Sequence, residues 1–461
     1  MTDKLIAINS TINSLIWGPP MLIALIGVGL YLTYRTGFIQ FSKFGLMCRE
    51  TMGKMLHRGP KAEGDVTPFQ ALTVAMGGTV GVGNIAGVAT AIAAGGPGAV
   101  FWMLVSGLVG MATKYAEVVL GLHYRKREPG QPMMGGPMMY IVRGLGPQWK
   151  WLAVMFCVFG ALAALGIGNM TQAQAVAAGM QQTFGVKPLI TGIAMLVLVG
   201  LVTVGGIKRI ANVAMFCVPF MCALYILGAI VIICAHITRV PAVLAMIVKY
   251  AFTPYSVAGG AAGIMVRMAI KKGIARGVFS NEAGLGSAPM AHATAMTDHP
   301  ARQGLWGIFE VFFDTIIMCT MTALVILLTG AHETGLNGAP LTMNAFGRFF
   351  GTRAGDVIVT FCMILTSYDT IIAWCFYGET CTAFVLGHGS TVRRAYRILW
   401  LPFILIGAMG KLDVIWDVAD TLNGLMAIPN LIALVALTGV VVKLTKGFLK
   451  KEPYTPPEAD S

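Results

Sequence analysis

The sequence predicts an all-α integral membrane protein with about eleven transmembrane helices. Three observations predict it. The 461 residues are 56% apolar and only 11% charged, where a soluble domain carries about 25% charged residues. The apolar residues lie in runs of about 20, the length at which a helix crosses a bilayer, rather than in the alternating segments of about ten that build a membrane barrel. Two of the runs are interrupted by glycine-dense stretches with polar edges, at 77–87 and 280–287.

In chain order the runs fall near 14–34, 68–94, 98–122, 150–180, 188–206, 211–235, 258–296, 304–330, 354–386, 394–410 and 414–443. The first is expected to remain as a span. Lys4 is a weak start for a leader, and no small-residue cleavage site precedes Trp17-Gly18-Pro19-Pro20. The seventh is too long for one crossing because it contains the second glycine break. Basic residues gather in alternate loops: Arg35, Lys43, Arg49, Lys54, Arg58 and Lys61; then Arg125, Lys126, Arg127 and Arg143; then Lys208 and Arg209; then Arg393, Arg394 and Arg397; then Lys443, Lys446, Lys450 and Lys451. That side is expected to be cytoplasmic, which puts the N-terminus outside the cell membrane and the C-terminus inside. Arg267, Lys271, Lys272 and Arg276 fall on the opposite side, as interfacial anchors or as an outer vestibule that attracts carboxylates. The tail after 446 is polar and proline-rich and reads as disordered.

Several function classes drop out. The net charge of +13 resides in short loops, as the positive-inside bias of a membrane protein requires, so no nucleic acid is implied. The nine cysteines form no Cys-x-x-Cys pair and mostly lie within apolar runs, which indicates neither a zinc site nor a disulfide framework. Gly81-x-Gly83-x-x-Ala86 matches a relaxed dinucleotide fingerprint, but a helical run precedes it and the next acid is Glu117. With no Walker sequence either, no nucleotide is expected as ligand or energy source. An enzyme would need a nucleophile with its base, or a metal cluster. His123, His292 and His299 stand isolated near span ends instead.

The breaks carry the positive evidence. Five glycines in eleven residues interrupt a span at 77–87, yet irregular backbone at membrane depth survives only where it is buried in protein or lines a polar cavity. Gly81-Val82-Gly83-Asn84 and Gly284-Leu285-Gly286-Ser287 share the pattern Gly-x-Gly-polar. Paired interruptions in two halves of a chain mark the binding site of a broken-helix secondary transporter. Freed N–H groups near Gly81, Val82 and Gly83 suit a carboxylate, because a helix end offers unpaired donors and a positive dipole.

At these residues the chain closely resembles the alanine or glycine:cation symporter family, also called the sodium:alanine symporters. The most specific pieces are Gly83-Asn84-Ile85-Ala86-Gly87-Val88-Ala89, Gly95-Gly96-Pro97-Gly98-Ala99-Val100-Phe101-Trp102-Met103, Ala112-Thr113-Lys114-Tyr115-Ala116-Glu117, Phe279-Ser280-Asn281-Glu282-Ala283-Gly284-Leu285-Gly286-Ser287-Ala288-Pro289 and Trp374-Cys375-Phe376-Tyr377-Gly378-Glu379. The resemblance covers nearly the whole chain and implies a LeuT-like fold of two inverted five-helix repeats. Residues 1–66 would then be an extra span and loop, 67–237 and 238–446 the repeats, and 447–461 a cytoplasmic tail. It implies a symporter that imports alanine or glycine with sodium by alternating access. A proton-coupled carrier is the alternative, and an ion channel a more distant one.

The resemblance also implies roles for single residues. Substrate would meet Gly81, Val82, Gly83, Gln172, Phe279, Ser280, Trp374 and Tyr377. One sodium would lie near Thr79, Asn84 and Ser280, with Asp314 a candidate to help. A second would lie between the carbonyls of Gly77 and Val80 and the side chains of Thr366, Asp369 and Thr370. Sodium is a hard cation that prefers such oxygens. Two positions depart from the family pattern. Gln174-Ala175 stands where Asn-Ser is expected, and Asp369 where Ser or Thr is expected. An ionisable residue inside a span is a functional hypothesis by default, so Asp369 either strengthens sodium binding or carries a proton. Glu117 is expected to pair with Lys114 one turn away, and Glu282 and Glu379 to lock helix breaks or gates.

Overall fold

A computed structural model describes residues 9, 11–55, 62–255, 262–387, 389–410 and 413–457. Lys4, Arg58, Lys61, the start of the seventh predicted run and the last four residues of the tail lie outside the described residues. Helix α1 (Pro19–Arg35) is followed by a first broken element, α2 (Pro68–Thr79) and α3 (Val88–Gly95), and then by α4 (Gly98–His123). Next come α5 (Lys150–Leu165), α6 (Thr171–Phe184), α7 (Pro188–Thr203), α8 (Gly206–Ala235) and α9 (Val240–Phe252). The second broken element is α10 (Ala262–Asn281) and α11 (Ala288–His292), followed by α12 (Pro300–Val311) and α13 (Thr320–Leu328). The chain closes with α14 (Gly338–Phe350), α15 (Thr352–Leu386), α16 (Ser390–Met409), α17 (Asp413–Ala436) and α18 (Thr438–Leu449). Only two isolated β-bridges occur among the described residues.

Every predicted run corresponds to a helix or a helix pair, but among the described residues seven helical segments are long and apolar enough to cross a bilayer, and the bent pair α2–α3 makes an eighth. At 16 residues α7 is shorter than a full crossing, and α10 is diluted by its basic residues. Two elements were passed over. Helices α9 and α14, at 13 residues each, are too short and too mixed to read as spans. The last run is two helices, parted at Leu437.

Turn chemistry sets the starts. Thr67 caps α2 with a reciprocal capping box to Gln70, and a proline occupies the first turn of α2, α7, α9 and α12, where its missing N–H costs nothing. Packing sorts the helices into two groups. Helix α4 lies along α10 and α12, while α15 lies along α5, α6 and α16.

The basic loops meet at one end of the molecule. Arg125 donates to the carbonyls of Glu63, Ala293 and Ala295, Arg127 pairs with Asp65, and Arg397 reaches the carbonyl of Val204. The tail joins this end rather than floating free. Tyr454 lies between two histidines, its hydroxyl 3.1 Å from His123 Nδ1 and its ring centroid 5.3 Å from that of His299. Burial pushes the Tyr454 phenol up to about 12, against the pull of Arg125 and Arg143, so the ring acts as a protonated apolar plug. Tyr454→Ala should free this strap. Trypsin should then cut after Lys450 or Lys451 about 5- to 30-fold faster, as expected when contacts of roughly 1–2 kcal/mol are lost. Unchanged cleavage would show that the ring does not hold the tail.

Candidate functional site

The two breaks face each other. Helix α2 ends at Thr79, and Val80 leaves it at φ −78° and ψ 86°. The chain resumes through a wide π turn, Gly83–Gly87, with a bend of 46°. Irregular backbone is thus confined to Val80 and Gly81, shorter than the glycine content suggested. Gly77 and Gly78 remain helical. In the second break the helix continues through Asn281, so Ser280 lies in the last turn of α10 rather than in the loop. Glu282, Gly284 and Gly286 then adopt φ of 56°, 93° and 81°, a region that glycine enters without steric cost. Gly83 is where the breaks meet: a Cβ there would stand 3.3 Å from Ser280 Cα and 3.5 Å from Phe279 Cδ1.

Asp314 gathers the residues of the first expected sodium position. Its carboxylate accepts from Asn84 Nδ2 at 2.7 Å, Ser280 Oγ at 3.0 Å and Thr315 Oγ1 at 2.8 Å. Asn84 Oδ1 in turn accepts the Gly81 N–H at 2.9 Å. The Gly81 amide, expected to be free for a carboxylate, is therefore held by Asn84, because a buried N–H takes the nearest available acceptor. The Thr79 hydroxyl bonds to the carbonyls of Ala75 and Met76 in its own helix rather than to Asn84 or Ser280.

At the second position Thr370 Oγ1 donates to the carbonyl of Gly77 at 2.9 Å and to that of Thr366 at 3.0 Å. Asp369 lies against the same helix, its Cβ 3.3 Å from where a Gly77 Cβ would be. Both Asp369 carboxylate oxygens and the Ser367 hydroxyl are buried without a partner among the described residues. Val80, just past the end of α2, is fully buried.

Aromatic rings and amides close the space between. The Trp374 and Tyr377 rings lie 5.5 Å apart at 69°, and Trp374 Nε1 donates to Glu282 at 3.1 Å. Phe279 carries Arg276 over its ring at 5.3 Å. Gln172 Nε2 is bonded to the carbonyl of Ile167, while its Oε1 and the Tyr377 hydroxyl are buried without partners among the described residues. Gln172 Oε1 stands 3.8 Å from where a Gly81 Cβ would lie, and the Tyr377 hydroxyl 3.1 Å from that of Gly78. Two unpartnered polar atoms therefore aim at the first break, beside buried Val82. Gly168 supports this wall, since a Cβ there would stand 2.2 Å from Trp374 Cβ. Gly168→Ala should displace Trp374, raise the KM for substrate about tenfold and cost roughly 1–3 kcal/mol of stability. An unaltered KM would remove Trp374 from the pocket.

Sequence reasoning missed the clamp on the second break. Glu117 Oε1 accepts the N–H groups of Gly284 and Gly286 at 3.0 and 3.1 Å and Asn430 Nδ2 at 2.6 Å. Asn430 also receives the Tyr140 hydroxyl. The expected Glu117–Lys114 pair is not formed. Lys114 pairs at 3.2 Å with Glu310, which also receives His292, a fully buried residue rather than an interfacial one. A polar Asn430 beside Pro429 inside an apolar run was the available signal. Glu282 binds Ser287 and Trp374 across the second break, and Glu379 pairs with Arg393 and Arg397.

The model of the sodium:alanine symporter family matches residues 2–458. The chain belongs to that family. It is 46% identical over 447 residues to an uncharacterized transporter of Haemophilus influenzae, covering 96% of each chain. It is 44% identical to the sodium/alanine symporter AgcS of Methanococcus maripaludis, over 96% of this chain and 97% of that one. Its fold is similar to the crystal structure of MhsT in complex with L-phenylalanine, with a TM-score of 0.55 at 12% identity, covering 84% of this chain and 99% of that one. This sodium:alanine symporter family member is thus an all-helical membrane transporter of the LeuT-like fold, and membership of a transporter family sets the enzyme reading aside.

Proposed function

We propose that this chain is a secondary active symporter that imports alanine or glycine with sodium. The observation that carries the reading is the meeting of the two helix breaks at Gly83, with Gln172, Phe279, Trp374 and Tyr377 around them and two clusters of oxygen ligands beside them. The sodium coupling named for the AgcS relative supports the same reading. The bulky rings would leave room only for a small side chain, and cation sites beside the substrate would let each favour binding of the other. Access would alternate as the group around α2, α4, α10 and α12 rocks against the group around α5, α6 and α15. Residues 67–237 and 238–446 would be the inverted repeats, and the end that gathers Tyr454 and the basic loops the cytoplasmic face.

Substrate would bridge Gly81, Val82 and Gly83 on one side and Phe279 and Ser280 on the other. Binding would then require Asn84 to release the Gly81 amide. Uptake of labelled alanine and glycine into proteoliposomes under a sodium gradient tests the function. Asn84→Ala, Gln172→Ala and Phe279→Ala should each lower uptake about tenfold or more, as loss of one buried polar or aromatic contact predicts. Unchanged kinetics in all three folded variants would sink the site assignment. Uptake under a proton gradient alone would replace sodium as the coupling ion.

A further inference from the structure

We propose that the groove between α1 and α10 binds one anionic phospholipid, with Arg267 and Lys271 holding its phosphate and an acyl chain lying along α1. The groove encloses about 850 Å³ and is lined by Leu22, Ile26 and Leu30 of α1, Ile270 and Ile274 of α10, and Phe252. It opens outward: Ile23 and Leu30, on an apolar helix long enough to cross a membrane, are 70% and 54% exposed, so hydrocarbon covers this face.

Among the described residues, the only charged ones that line the groove are Arg267 and Lys271. They stand one helical turn apart and so project from one face of α10. Neither forms an ion pair or a hydrogen bond among the described residues. Their depth suits a headgroup. At 1.5 Å of rise per residue they lie roughly 21 and 15 Å from Asn281, where the break begins. A hydrocarbon core is about 30 Å thick, so a break near its centre puts both cations at one interface with the apolar lining below them. The basic cluster of this region therefore divides. Arg276 turns inward over Phe279, and Arg267 and Lys271 turn to the bilayer side.

An anionic lipid satisfies both halves of the groove. Free phosphate would leave the apolar half uncovered. A second copy of this chain on a two-fold axis would bring the same cations into opposition at low dielectric. A zwitterionic lipid would fill the apolar half but carry its own cation to Arg267 and Lys271. The site is separate from the transport reading and does not depend on it.

Native mass spectrometry of the full chain, with equimolar phosphatidylglycerol and phosphatidylcholine, tests the proposal. One phosphatidylglycerol should be retained in preference. Arg267→Gln with Lys271→Gln should lower that preference about tenfold or more, the loss expected for two cations at a lipid surface. Arg267→Lys with Lys271→Arg should keep it. Gly27→Leu provides a second route should the glutamine pair fail to fold. It fills the groove from α1, where a Cβ meets nothing within 4 Å, and it should abolish retention with both cations intact. An undiminished preference in either blocked variant would overturn the site. So would competition by inorganic phosphate at equal concentration, or a dimer that excludes lipid from this face.

Discussion

Asp369→Ser is expected to weaken sodium activation of uptake at least tenfold, about 1.4 kcal/mol or more in cation affinity, while leaving the protein folded. A carboxylate in the interior without a partner costs several kcal/mol unless a cation or a proton neutralises it. Among the described residues both Asp369 oxygens are in that position, on the helix face that meets Gly77. Thr366 and Thr370 flank Asp369 one turn apart, and Thr370 already engages the Gly77 carbonyl. A full negative charge among otherwise neutral oxygens attracts a cation there more strongly than a serine or threonine hydroxyl would. The same argument gives a second sign. Without sodium, Asp369→Ser should melt above the parent protein, because the unpaired carboxylate is gone. With saturating sodium the order should reverse. If a proton carries the coupling, Asp369→Ser and Asp369→Asn should both abolish uptake driven by a proton gradient. Sodium and proton dependence unchanged in both variants would take Asp369 out of the coupling.

Lys114→Met should produce the largest loss of stability, about 3–5 kcal/mol, the usual effect of removing one partner of a buried ion pair. Lys114 and Glu310 are fully buried. Glu310 also receives His292 Nε2 at 2.9 Å, His292 Nδ1 receives Gln303 Nε2 at 3.0 Å, and Gln303 reaches the carbonyl of Pro68 at 3.3 Å. One chain of hydrogen bonds thus ties α4, α12, α11 and the start of α2, the helices that carry both breaks. A rocking mechanism needs these to move as one body, so the variant should lose transport as well as melting temperature. Lys114→Met combined with Glu310→Leu removes both charges and should recover most of the stability. A thermal melt of the single and double variants decides the matter. Equal loss in both would mean that packing, rather than the uncompensated carboxylate, sets the cost.

Much of the site was legible because its signals are local. Glycine density located both breaks, although their extents were misjudged: Gly77, Gly78 and Ser280 remain helical. Whether a glycine leaves a helix depends on what packs against it, and here Tyr377 and Asp369 press on the helical pair Gly78 and Gly77. Trp374 and Tyr377 were expected to meet the same substrate, and their rings lie 5.5 Å apart. Asn84 and Ser280 were expected to share a cation, and they share the Asp314 carboxylate. The Glu117–Lys114 pair failed because each found a better partner on another helix, Glu117 in the amides of Gly284 and Gly286 and Lys114 in Glu310.

The sequence by itself determined that this is a helical membrane protein and that two of its helices are broken, because hydropathy and backbone freedom are properties of short segments. Only the tertiary structure decided which acid meets which cation, that Asn84 holds the Gly81 amide, that Tyr454 anchors the tail, and that Asp369 is buried without a partner among the described residues. The energy of a buried polar group depends on the atoms that face it, and those come from helices far away in the chain, 313 residues from Glu117 to Asn430.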